Sequence, residues 1–143
     1  MEQWIFYAGV AALLIAMRDI FTKKFSTKYS PIEHLLYYYI LCGFFIILLA
    51  LYKTKVKGEK IKFIDKEDLW KYALVAGISA IIISPCQVLA LANCDNPGKS
   101  ASIVNLNAII SFIIAAYFIS GAKLEMKTFA GIALTGLGVY LII

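Results

Sequence analysis

Charge is scarce in this chain of 143 residues. Asp, Glu, Lys and Arg together make up 16% of it, where a soluble domain ordinarily carries ~25%. One histidine, His34, is the whole imidazole supply. There are no paired central carboxylates, no Gly-rich phosphate loop and no nucleophile motif, so the chain is not expected to be an enzyme. Cysteine is thin as well. Cys42, Cys86 and Cys94 are odd in number and match no metal-ligand spacing, which argues against a disulfide frame and a zinc site. They read as small apolar fillers. No cofactor and no metal is expected. Low-complexity linkers and internal repeats are missing too. The N-terminus carries Glu2 instead of the basic region of a signal peptide, and its apolar run continues into charged, helix-compatible sequence; it reads as retained.

What the chain has in abundance is apolar surface. Hydrophobic residues make up 62%, and the mean hydropathy is +0.80. That balance places it among all-α integral membrane proteins. Five apolar segments stand out, at about 4–25, 31–52, 70–93, 100–120 and 128–143, so the expected fold is a five-transmembrane-helix bundle forming one domain over residues 1–143. Four of the segments reach roughly 30 Å, enough to cross a hydrocarbon core. The fifth covers only about 24 Å and must thin the bilayer or lean on neighbours.

The net charge of +5 does not read as a nucleic-acid footprint, because the lysines fall in short connectors between apolar runs. With a cytoplasmic N-terminus, the inner connectors hold nine lysines: Lys53, Lys55, Lys57, Lys60, Lys62, Lys66, Lys71, Lys123 and Lys127. The outer ones hold four, Lys23, Lys24, Lys28 and Lys99. The positive-inside rule therefore favours that orientation, in the cell (inner) membrane. The Lys-rich 53–69 connector is expected to lie on the membrane surface.

Local signals mark the helix ends. "SPIE", residues 30–33, is a capping box with Pro31 at the first helical position. "DKED", residues 65–68, sets acids ahead of the third helix, as the helix dipole prefers. "NPGKS", residues 96–100, reads as a tight turn. His34 sits at the same water interface as Glu33.

The first helix poses the main question. Ending at Met17 it has too few residues to span, so it must run on through Arg18 and Asp19. Each such charge costs ~2.5–3.5 kcal/mol at a helix centre. Arg18 lies some 10 Å from the outer end and can snorkel, while Asp19 and Lys23 are four apart and can pair. Two readings follow: an interfacial charge cluster, or charged groups lining a polar cavity that meets a substrate. Gln87 and a helix-kinking Pro85 sit inside the third segment. Asn105 and Asn107 sit in the fourth. Their amides need partners, so they face other helices or water instead of lipid. Gly131, Thr135 and Gly138 form a small-residue packing face on the fifth helix.

Residues 90–142, "ALANCDNPGKSASIVNLNAIISFIIAAYFISGAKLEMKTFAGIALTGLGVYLI", resemble the C-terminal half of an EamA domain, the repeat of the drug/metabolite transporter superfamily. The "GAKL" connector, Gly121 to Leu124, stands where the repeat has a "GEKL"-like sequence, with Ala122 replacing its Glu. Near Asn107 a Pro common in the fourth helix is replaced. The resemblance implies five helices per repeat and, usually, two repeats in inverted topology; this chain carries one. It implies a half-size transporter working by alternating access on a small metabolite or drug. Its partners would be the lipid bilayer and a second copy, antiparallel or parallel, or a homologous half-transporter. On that reading Arg18, Asp19, Gln87, Asn105 and Asn107 are the substrate-binding candidates. The alternative is a non-transporting membrane subunit that assembles with or stabilises a partner.

Overall fold

A computed structural model describes residues 3–118 and 126–142, the side chains of 116 and 117 excepted. Among the described residues there are helices and no strands. Helices α1 (Gln3–Phe25) and α2 (Pro31–Val56) are unbroken. The third span comes in three pieces: α3 (Lys66–Ile78), a π-helical turn (Ser79–Ile83) and α4 (Ser84–Asn93). The fourth comes in two, α5 (Pro97–Val104) and α6 (Asn107–Phe118), and α7 (Met126–Ile142) is the last. Four spans are long and apolar enough to cross a membrane, and α7 is a shorter apolar helix. The "GAKL" connector and Ala122 lie outside the described residues.

The helices hide almost nothing from their surroundings. Among the described residues only Leu35, Val88, Leu91 and Val139 are buried apolar side chains, while Phe6, Phe45, Ile81 and Leu134 are more than half exposed. Water does not tolerate contiguous apolar surface of that extent. Lipid does, and helices satisfy every backbone group internally there. The chain is an all-α membrane bundle in contact with the bilayer.

The chain divides into two compact units, Thr22–Ala92 and Met1–Phe21 with Asn93–Ile143. In the first, the Ser30 backbone N–H donates to Glu33 Oε2 at 2.8 Å, and the Glu33 N–H donates to Ser30 Oγ at 3.3 Å. This completes the capping box read from "SPIE". Ser30→Ala removes the acceptor and is expected to cost about 1 kcal/mol of stability, read as a lower midpoint in denaturant-detergent unfolding. His34 is half-buried, its ring stacked between Phe25 and Tyr38 at centroid distances of 6.4 and 6.2 Å. Lys23 Nζ donates to the Ala92 carbonyl at 2.8 Å. A cation thus meets an unsatisfied carbonyl at the end of α4, where the helix dipole favours it.

Helix α2 runs past the apolar segment to Val56 and ends at a glycine. Gly58 has φ +66°, in the left-handed region that other L-residues enter at a cost. The reversal lets the Glu59 N–H reach the Lys53 carbonyl at 3.2 Å and the Glu59 carboxylate meet Lys53 Nζ at 3.3 Å. Gly58→Ala has open space for its methyl group, so its cost is conformational. A loss of about 1 kcal/mol is expected, checked by the same unfolding assay.

In the second unit, Asn96 caps α5 by accepting the Gly98 N–H at 2.8 Å, with Pro97 in the first turn. Lys99 Nζ, 3.0 Å from Asp95 Oδ2, and the Asn96 N–H hold the Asp95 carboxyl below the usual carboxylate range. Helix α7 packs chiefly on α5.

Candidate functional site

The charges of the first helix find each other. Arg18 Nε and Nη2 both donate to Asp19 Oδ1, at 3.1 and 2.9 Å. The Arg18 side chain is 42% exposed and that of Asp19 14%, so the carboxylate is the more enclosed partner. The sequence spacing suggested pairing Asp19 with Lys23; the carboxylate instead takes Arg18, and Lys23 donates to the Ala92 carbonyl. Adjacent residues point about 100° apart on a helix, so this pair forms only because the long guanidinium arm folds back across the helix surface.

The third span departs from α-helical geometry just where proline enters. Within the π turn the Ser84 N–H reaches back to the Ser79 carbonyl, one residue further than in an α-helix. Pro85 follows directly. A proline ring clashes with the carbonyl four residues earlier and has no N–H of its own. A widened turn at 79–83 moves the carbonyls that the ring would strike. Ser84 hydrogen-bonds the Tyr39 hydroxyl, tying the distorted turn to α2. One turn on, Gln87 is half-buried, and its amide has no hydrogen-bond partner among the described residues.

The fourth span breaks at Asn105 and Leu106, where the sequence suggested one continuous helix. Here i→i+3 bonds take over: Leu106 N–H to Ile103 at 3.1 Å, Ala108 to Asn105 at 3.1 Å and Ile109 to Leu106 at 3.0 Å. Asn is a weak helix former because its side chain competes with the backbone, and two of them flank Leu106. Ser102 spends its hydroxyl on the Gly98 carbonyl at 2.8 Å. The amides of Asn105 and Asn107 are exposed and have no partner among the described residues. In lipid such amides are costly, so this surface calls for water, a polar ligand or another polypeptide.

The small residues of α7 border open space. A groove of about 390 Å³ is lined by α6 at Ile109 and Phe112 and by α7 at Lys127, Gly131, Ile132 and Thr135. A Cβ built at Gly131 or Gly138 meets nothing within 4 Å among the described residues. The Thr135 hydroxyl donates to the Gly131 carbonyl at 2.8 Å. No sequence signal foretold the groove, because it depends on α7 leaning on α5. Among the described residues, no cluster of His, Cys, Asp and Glu fits a metal ion.

A family model described as the EamA-like transporter family matches residues 2–143. No curated protein and no solved structure matches the chain.

Proposed function

The chain belongs to the EamA-like transporter family, and from that premise we propose that it is a half-size transporter of a small polar or amphipathic metabolite or drug. It works by alternating access, as one five-helix repeat over residues 1–143 that assembles as a dimer. The observation that carries this reading is the break at Asn105–Leu106, which leaves bare amides in the middle of an apolar span. Transporters place substrate at discontinuous helices, whose freed backbone and polar side chains replace lost hydration. The π turn before Pro85 is a second discontinuity of that type. Asn105 and Asn107 supply neutral polar contacts and Arg18 with Asp19 the charged ones in one unit; Gln87 supplies a contact in the other. The open small-residue face of α7 supports a docked second copy. The lysine distribution supports a cytoplasmic N-terminus in the cell (inner) membrane.

Purified protein in liposomes, screened against a panel of radiolabelled metabolites and cationic drugs, tests the reading. Uptake of at least one solute above that of protein-free liposomes is expected. Failure across the panel, with one unlike membrane protein captured by cross-linking in native membranes, overturns it in favour of a non-transporting subunit.

A further inference from the structure

The connector between α2 and α3 holds a group of residues that transport does not use. Lys53, Lys55, Lys57, Lys60 and Lys62 fall within ten positions. Lys53 pairs with Glu59 and Lys62 with Asp65, the latter at 3.4 Å. Lys55, Lys57 and Lys60 have no acidic partner among the described residues. From 57 to 65 the chain is neither helix nor strand, and just after Lys60 it presents Ile61 and Ile64 at 51% exposure and Phe63 at 90%. Phe63 is the most exposed of the large apolar side chains described.

Geometry limits what this segment can touch. Consecutive spans return to one face of the membrane, and residues 57–65 join them. At about 3.3 Å per residue the segment has a contour of roughly 30 Å, so its middle rises no more than ~15 Å from that face. Phe63 lies three residues before α3 begins, within about 10 Å of it. The Gly58 reversal, with the Glu59 contacts to Lys53, ends α2 and starts the connector. An exposed apolar side chain that follows three lysines without acidic partners, this near a bilayer, has a complementary surface beside it.

We propose that residues 57–65, with Lys55 in the last turn of α2, form a strap that binds the anionic phospholipid headgroups of the chain's own membrane. Lys55, Lys57 and Lys60 supply the charge, and Phe63 with Ile61 enters the headgroup layer. Each lysine near an anionic surface is worth roughly a fivefold shift in population, so three shift it by about 100-fold at physiological salt. The attraction is screened within about 8 Å at that salt and within about 3 Å at 1 M.

The full chain in lipid nanodiscs provides the test, since both faces are open to reagent. Trypsin cleavage after Lys62 is timed in discs of phosphatidylcholine alone and of phosphatidylcholine with phosphatidylglycerol at 3:1. The wild type is expected to be cut at least tenfold more slowly in the anionic discs, and the difference to vanish in 1 M NaCl. Lys55→Gln/Lys57→Gln/Lys60→Gln, which keeps Lys62, is expected to be cut at one rate in both discs. Phe63→Ser is expected to be cut faster than wild type in anionic discs. Equal wild-type rates in the two discs, or a lipid dependence unchanged in the triple variant, overturn the proposal. So does slow cleavage in both discs, which would mean that a contact within the protein covers the strap.

Discussion

Arg18→Ala is expected to lower the folded stability by about 2–3 kcal/mol, whereas Arg18→Ala/Asp19→Ala is expected to recover most of that loss and to abolish transport. The single variant strands the more enclosed member of the pair, Asp19, whose Oδ1 loses both guanidinium bonds. A lone carboxylate in a membrane helix costs ~2.5–3.5 kcal/mol on the insertion scale, and removing its cation leaves that charge uncompensated. The double variant removes both charges and closes the cycle. Unfolding midpoints in detergent for wild type, both single variants and the double variant measure the coupling; uptake by proteoliposomes measures the function. A stable, inactive double variant separates the two roles. A double variant that is stable and fully active would leave the pair a snorkelling cluster at the rim, with no part in recognition.

Gly131→Leu is expected to leave the protomer folded and to weaken self-association by tenfold or more. A Cβ at Gly131 meets no atom within 4 Å among the described residues, and the groove of about 390 Å³ beside it has room for the rest of the side chain. In an exposed helix interior, replacing Gly even adds about 0.5–1 kcal/mol of helix preference. A second helix docking on Gly131 and Thr135 would lose the close backbone approach that small residues permit. Single-molecule counting of labelled protein in lipid, with circular dichroism as the control for folding, reads the outcome. An unchanged dimer fraction would move the association surface away from the α6–α7 groove, and a collapsed helical signal would assign Gly131 to packing within the chain.

Features set by a few adjacent residues were legible in the sequence. The Ser30–Glu33 box is a four-residue pattern whose hydrogen bonds close within one helical turn, and it forms as read. Residues 96–100 were read as a tight turn, whereas Asn96 caps a helix that already begins at Pro97. The extents of the helices were less so. Helix α2 continues four residues beyond Tyr52 because its lysines sustain a helix until Gly58 stops it, and α3 starts at Lys66 because Asp65 opens it with Glu67 and Asp68 in the first turn. Pro85 announced trouble in the third span, but not that the span would widen before the ring. The two asparagines around Leu106 were read as polar contacts, when their poor helix preference was the stronger signal. Asp19 was matched with Lys23 by the i, i+4 spacing, but the long Arg18 side chain reaches it first. The α6–α7 groove is a product of tertiary packing and has no local signature.

The account rests on polar positions that meet water inside an apolar span. Asn105→Cys, Asn107→Cys and Gln87→Cys, each made with Cys42, Cys86 and Cys94 replaced by Ser, are to be reacted in liposomes with a membrane-impermeant thiol reagent, with Ile110→Cys on α6 as the apolar reference. Reaction at least tenfold faster than at Ile110, slowed when a transported solute is added, is the predicted result. Rates at all three positions as slow as at Ile110 would contradict the account and leave a bundle whose amides are sealed against other helices.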